Sequence, residues 1–415
     1  MVGVNKILDK PTAHTVEITL FGGGGGFGES VLIHLGNNKW IVVDCCVDAT
    51  KHALPLTYLE EIGSSPENII IVICTHWHSD HIMGMSEILN KCNPANTTFY
   101  TALTKKDSEL IAEFIKDNII KESLSYSKEY LSIINVLNER QINTVHVYQD
   151  KLICNAEGCL CYTLSPSDED VNAFLQAQAL NALKVEKSKV QKKKLSNLDM
   201  SQIESADDIV SDLFAGYEED TEIIDDKSEP FRRKRISLPS ANDRSVAILL
   251  CIGDQNIILG ADLENDENDY VSGWGAIMKR NICLKGKKAD VYKIPHHGSI
   301  TGYAPEFLEE YVQKGCLAKM TTWHKGGRIL PKDDMLTLYM GLTDRLYITS
   351  RPNRPRKIDA PSNNIRSLIE EHTEDVYDIP QRIGFIRSRL NLDEDISTRN
   401  WETQCFGTAY KIESV

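Results

Sequence analysis

Three histidines and an aspartate fall within six residues in Thr75-His76-Trp77-His78-Ser79-Asp80-His81. Imidazole nitrogens and carboxylate oxygens are the ligands that zinc, manganese and iron take, and the His-x-His-x-Asp-His spacing crowds four of them onto one turn. The preceding run Ile69-Ile70-Ile71-Val72-Ile73-Cys74 is continuously apolar, as a buried strand is. Ligands delivered together off the end of such a strand converge on one point. The stretch reads as a metal site rather than as a surface histidine cluster. Two later segments carry the same residue types at strand ends: Asp262 after Asn256-Ile257-Ile258-Leu259-Gly260-Ala261, and His296-His297 after Ala289-Asp290-Val291-Tyr292-Lys293-Ile294-Pro295.

Strands must hold these groups in place. Val16 to Phe21 alternates as a half-buried strand should, Val31 to Leu35 forms a second, and Trp40 to Val43 a third that ends in Asp44. Gly22 to Gly26 lie between the first two. A phosphate loop would need a Gly-Lys-Ser/Thr sequence and a helix after it, and here a strand follows, so the glycines read as a close-packed crossing near the metal site. Helix is expected over Ile82 to Cys92 and over most of 105–140, where Leu110, Ile111, Phe114 and Ile115 recur at three-to-four spacing. Strand character returns at Thr98 to Tyr100, Val145 to Val147, Lys151 to Cys154 and Cys159 to Leu164. Val246 to Cys251 and Asn256 to Glu264, joined at Gly253-Asp254, read as a hairpin.

Composition narrows the class. A chain of 415 residues that is 41% hydrophobic can bury one large core with insertions. A net charge of -14 excludes a protein whose whole surface embraces nucleic acid, and leaves room for local basic stripes. Eleven cysteines without CxxC repeats read as reduced thiols, mostly core packing, in a cytoplasmic protein. No apolar run approaches the roughly twenty residues of a membrane span, and no signal-peptide pattern opens the chain. Residues 168–240 change character. Lys184 to Lys194 is basic, Glu218 to Asp226 acidic and Arg232 to Arg235 basic, which marks a charged insertion that is either a solvated linker or an arm for a protein partner.

The His76, His78, Asp80, His81 pattern resembles the signature of the metallo-β-lactamase superfamily. That resemblance implies an α/β fold, the four-layer αββα sandwich, with residues 1–167 and 241–415 as its two halves and 168–240 inserted between them. It implies two divalent ions, zinc or manganese, at one edge of the sheets. His76 and His78 would hold the first, Asp80 and His81 the second, and Asp262 would bridge them. His297 would complete the set while His296 points at the substrate, although the reverse order stays open. Asp44 sits where such chains place an aspartate that orients a ligand histidine. Many members carry a third-motif histidine where this chain has Ser165. The order of Gly28-Glu29-Ser30, Leu164-Ser165-Pro166, Asn242-Asp243-Arg244-Ser245, Gly260-Ala261-Asp262-Leu263-Glu264 and Ile294-Pro295-His296-His297-Gly298-Ser299 is similar to the ComEC-like branch. That branch is named for the soluble hydrolase domain of a bacterial DNA-uptake channel. The likeness covers residues 16–166, 242–350 and Phe406 to Ile412, the last resembling the closing strand. In that branch Asn-x-x-Ser and the Ser-Pro turn replace the third histidine. It implies metal-dependent cleavage of phosphodiesters, commonly DNA and often with manganese. The present chain departs from it by lacking the membrane channel and by its charged insertion.

Two divalent ions lower the pKa of a shared water toward neutrality. Asp80 would hydrogen-bond that nucleophile, and His296 or His324 would protonate the leaving alkoxide. His324 lies in the basic, glycine-containing segment Thr321 to Arg328. Lys279, Arg280, Lys285, Lys287, Lys288 and Lys293 precede the His-His turn, and Arg351, Arg354, Arg356 and Lys357 form a second basic group. These favour an anionic, nucleic-acid substrate. A small substrate (a cyclic nucleotide, a phosphocholine ester or a lactone) suits the acidic balance. A non-catalytic interaction module working through 168–240 is disfavoured, because such a module needs no open metal site.

Overall fold

The computed structural model describes residues 8–22, 28–103, 124–168, 242–265, 272–280, 282–325, 328–352 and 383–413, with residues 108, 112 and 116 besides. Glycines 23–26, all but Asp168 of the expected insertion, most of residues 105–123 of the helix expected over 105–140, and Arg354, Arg356 and Lys357 lie outside them.

In chain order the strands are β1 (Thr15–Gly22), β2 (Glu29–Gly36), β3 (Lys39–Val43), β4 (Ile69–Cys74), β5 (Thr98–Thr101) and β6 (Asn143–His146). β7 (Leu152–Ala156), β8 (Cys159–Thr163), β9 (Ile248–Ile252), β10 (Gln255–Leu259), β11 (Ala289–Lys293) and β12 (Val312–Met320) follow. The last are β13 (Trp323–Lys325), β14 (Arg328–Leu330), β15 (Leu346–Ile348), β16 (Gly384–Asn391), β17 (Glu402–Gly407) and β18 (Tyr410–Lys411). One eight-stranded sheet runs β17-β16-β1-β2-β3-β4-β5-β6, a second runs β18-β15-β12-β11-β10-β9-β8-β7, and β13 pairs with β14 apart from both. The helices are α1 (Leu54–Glu61), α2 (Ser79–Ile82), α3 (Met85–Lys91), α4 (Leu124–Glu139), α5 (Gly273–Arg280), α6 (Pro305–Tyr311) and α7 (Asp333–Leu342).

The side-chain alternation of the strands builds four layers. In β4, Ile71 and Ile73 face the second sheet and meet Ile257, Leu259, Val291 and Leu317 between the sheets. Val72 and Cys74 face the other way, onto Leu59, Ile88, Leu89 and Tyr130 of α1, α3 and α4. In the second sheet, Leu249, Ile258 and Tyr292 pack against Trp274, Ile277, Phe307 and Tyr339 of α5, α6 and α7. Both faces of the central strands are covered, which is why they read as nearly unbroken apolar runs. This is the αββα sandwich.

Several expectations change in detail. The helix expected over 82–92 breaks into α2 and α3 at Gly84, whose φ is +88° and whose missing Cβ leaves room for Val47 Cγ1, 2.6 Å from where it would stand. The strand expected to run to Glu264 stops at Leu259, because Gly260 to Asp262 turn back with Ala261 at φ 45°. The closing segment divides: β17 extends the first sheet and β18 the second. Gly28, at the end of the glycine crossing, has φ +108°, and a Cβ there would sit 2.5 Å from Cys46 Cβ and 3.5 Å from Asp80 O. A side chain would collide with Cys46 and only touch the metal motif at Asp80 O. Among the described residues no helix is long and apolar enough to cross a membrane.

Lys319 of β12 reaches between the sheets, where its Nζ donates to Ile18 O at 2.7 Å and Ile386 O at 3.2 Å. Burial pushes its pKa down to about 7, against a smaller opposing pull from Glu17. Between pH 7 and the ordinary lysine value the unfolded chain therefore binds more protons than the folded one, and stability gains with rising pH. Lys319→Met removes that contribution. Its stability relative to the parent should fall by a few kcal/mol, to order of magnitude, as pH rises through this window. Urea unfolding at a series of pH values measures it, and a pH-independent difference would refute it.

Candidate metal centre

The parallel strands β3, β4, β10, β11 and β12 bring their carboxyl ends to one edge, where the topology of such sheets opens a crevice. There the ligand atoms of Asp80, His81, Asp262 and His297 all lie within 4.8 Å of one another, and all four residues are buried. His81 Nε2 is 3.3 Å from Asp262 Oδ2 and 3.7 Å from Asp80 Oδ2. His297 Nε2 is 3.5 Å from Asp262 Oδ2 and 3.6 Å from Asp80 Oδ2. His81 Nε2, His297 Nε2 and Asp262 Oδ1 are buried with no hydrogen-bond partner. Buried polar atoms without partners are costly, and three of them in one cluster of imidazole and carboxylate groups fit a divalent cation.

Each imidazole is held from behind. Asp44, just beyond β3 at φ 58°, takes His81 Nδ1 at 2.7 Å and the Thr75 N–H at 2.8 Å. The Thr75 hydroxyl donates to Asp44 at 2.6 Å and lies 3.0 Å from His76 Nδ1. Asp44 thus orients His81 directly and His76 through a hydroxyl, so its proximity to these two histidines is better read as support than as a second ligand set. His76 Nε2 is 3.1 Å from His78 Nδ1, and the His76 and His81 rings stand 4.2 Å apart. His76 and His78 therefore adjoin the four-residue cluster. Where a third-motif histidine would stand, the Ser165 hydroxyl donates to Ser245 O and accepts from Ala247 N at 2.9 Å, so it is occupied by backbone.

The electrostatics follow from burial and charge. Burial alone raises the carboxyl pKa of Asp80 and Asp262, but His81 and His297 hold both below the usual range. Burial lowers His81, and Asp262, Asp44 and Asp80 outweigh it and raise its pKa well above the ordinary value. His76 and His78 are pushed down, chiefly by burial.

His296 and His297 do not continue β11. They occupy a single 3-10 turn at φ 47° and 51°, so the opposite-facing geometry of a strand does not apply. His297 turns into the cluster. His296, half-buried, turns to Glu264, with Nδ1 3.0 Å from Oε1. Asn242 Nδ2 donates to Glu264 at 3.1 Å and lies 3.4 Å from His296 Nε2, and Thr301 Oγ1 donates to Glu264 at 3.2 Å. Burial lowers the His296 pKa, and the bond to Glu264 with the Asp262 charge reverses this and raises it. His324 is half-buried on β13 opposite Ile329, and is not among the residues whose ligand atoms converge.

Lys293 corrects an expectation. It is 2% exposed, pairs with Glu29 and donates to Ala261 O at 2.7 Å, so it does not meet substrate. Of its basic neighbours, Lys287 Nζ bonds Cys283 O and Lys288 Nζ bonds Glu309 O at 2.8 Å, while Lys279 and Lys285 are exposed. The roles of Glu29, Thr321, Lys293, Glu264 and Asn242 escaped the sequence reading. The signal was present: a glutamate or lysine inside an otherwise apolar strand must find a buried partner.

Residues 23–103 match the family model described as the metallo-beta-lactamase superfamily. The chain is 23% identical over 153 residues to "Endoribonuclease ysh1" of Emericella nidulans, covering 34% of this chain and 17% of that protein. It is 30% identical over 80 residues to "Anti-Pycsar protein Apyc1" of Bacillus phage 010DV004, covering 18% of this chain and 29% of that protein. The chain thus spans less than a third of the length of either relative. Among solved structures, the metallo-beta-lactamase fold protein YhfI of Bacillus subtilis is similar at 11% identity and TM-score 0.30, covering 68% of this chain and 70% of that one. The chain has the metallo-β-lactamase fold, and the segment that carries its metal motif is similar to that superfamily.

Proposed function

We propose that the protein is a metal-dependent hydrolase of phosphodiester bonds, with DNA or RNA as substrate. The observation that carries the reading is the convergence of Asp80, His81, Asp262 and His297 with three orphaned ligand atoms between them. A divalent ion bound there supplies Lewis acidity and an acidified water. Asp80, on the rim of the cluster with 11% of its side chain exposed, accepts a hydrogen bond from the attacking water. His296 and Glu264 stand beside it as an acid held in place, with the proton available for a leaving alkoxide. The distant relative named as an endoribonuclease and the motif order shared with the ComEC-like branch support a nucleic acid. Arg351, exposed just past the carboxyl end of β15, which runs parallel to β12, supplies positive charge at that edge.

The acidic balance of the whole chain favours a second reading, a small diester. Salt separates the two. In manganese, linear DNA and a bis(p-nitrophenyl) phosphate probe are offered in parallel at rising salt. The nucleic-acid reading expects DNA turnover whose apparent affinity falls steeply with salt, because each neutralised phosphate releases counterions. Turnover of the small diester alone, indifferent to salt, would replace DNA by a small substrate.

A further inference from the structure

We infer that Glu29, Thr321 and Lys293 form a buried relay that sets the tautomer of His297, so that Nε2 is the atom it offers to a metal ion; the inference rests on the metal-dependent hydrolase reading. The Thr321 hydroxyl has one proton, and it goes to Glu29 Oε2 at 2.6 Å. Its oxygen then accepts from His297 Nδ1 at 2.7 Å. With the proton on Nδ1, the lone pair of the neutral ring is on Nε2, the orphaned atom that faces Asp80 and Asp262. Glu29 stands 3.9 Å from His297 Nδ1, so it acts through the hydroxyl and not directly.

Lys293 anchors the other end. Its ammonium pairs with Glu29 Oε1, donates to the carbonyl of Ala261 at 2.7 Å, and lies 4.0 Å from Asp262 Oδ1. One buried cation therefore fixes the carboxylate behind His297 and the backbone beside Asp262. Buried ion pairs are poor stabilisers, since desolvation offsets most of the attraction, and this one sits directly behind two of the four converging residues. The arrangement repeats the one on the opposite side of the cluster, where Asp44 reaches His76 through the Thr75 hydroxyl. Glu29, Thr321 and Lys293 are positioning residues.

The test compares the parent with Thr321→Val, which keeps the shape and loses the hydroxyl, and Thr321→Ser, which keeps the hydroxyl. Zinc affinity is measured by competition with a chromophoric chelator, and thermal unfolding of the metal-free proteins checks that each is folded. The relay predicts that Thr321→Val binds zinc about 10–100-fold more weakly while Thr321→Ser stays close to the parent. Equal affinity in all three, or equal loss in both variants, would overturn it. Long-range proton–nitrogen spectra of the histidine rings in the zinc-loaded parent decide the matter even if Thr321→Val fails to fold. Nδ1–H with metal on Nε2 is expected for His297, and the reverse pattern overturns the relay. A parent that takes up no divalent ion overturns both the relay and the reading beneath it. Weakened zinc binding in Thr321→Val with no phosphodiester turned over by the parent leaves the relay standing and removes only the substrate assignment.

Discussion

Asp262→Asn is expected to lower phosphodiester hydrolysis by about a thousandfold or more, with weaker divalent-ion binding and an unchanged fold. Asp262 Oδ2 lies between the two imidazoles, 3.3 Å from His81 Nε2 and 3.5 Å from His297 Nε2, and Oδ1 is buried without a partner. The amide keeps the shape but removes the charge and presents hydrogens to groups arranged for a cation. A bound metal ion contributes several kcal/mol of transition-state stabilisation, and each 1.36 kcal/mol is tenfold in rate, which sets the size of the loss. Turnover at saturating manganese, bound metal per chain and circular dichroism measure the three parts. A variant within tenfold of the parent would remove Asp262 from the centre of the mechanism.

The second large effect concerns His296. Glu264 holds its Nδ1 at 3.0 Å and raises its pKa, with Asn242 and Thr301 fixing the carboxylate. A positioned acid is worth about 10²–10⁴ in rate, so His296→Ala should lose that much on a substrate with an alkoxide leaving group. A p-nitrophenolate needs no proton to depart, and the same variant should cleave a p-nitrophenyl diester nearly as fast as the parent. Equal losses on both substrates would mean that His296 does not deliver the leaving group's proton.

The features legible in the sequence were those that chain neighbours carry. The strand before His76 is six apolar residues in a row because both its faces are covered. The four metal-type residues of the motif stand within one turn, so their chemistry shows without knowledge of the fold. Asp262 and Asp44 were visible as acids at the ends of apolar runs. The supporting residues were not. Thr321 and Glu29 meet across 292 positions of the chain, and no local periodicity signals such a contact. Lys293 was read as part of a basic surface because its charged neighbours are basic too. Its place between Tyr292 and Ile294, on a strand buried along most of its length, was the better guide. The left-handed backbone at His296 and His297 departs from the strand pattern that precedes it. It is imposed by the turn that seats His297 in the cluster, with the His296 N–H on Ala261 O at 3.0 Å.

The central claim is that the convergence of Asp80, His81, Asp262 and His297 makes a metal-dependent phosphodiesterase. Protein stripped of metal by a chelator and then titrated with manganese, with cleavage of linear DNA followed at each step, tests it most directly. The account predicts no cleavage by the stripped protein and its recovery as manganese is restored. Cleavage that persists without metal, or a manganese-saturated protein that turns over neither DNA nor bis(p-nitrophenyl) phosphate, would contradict it.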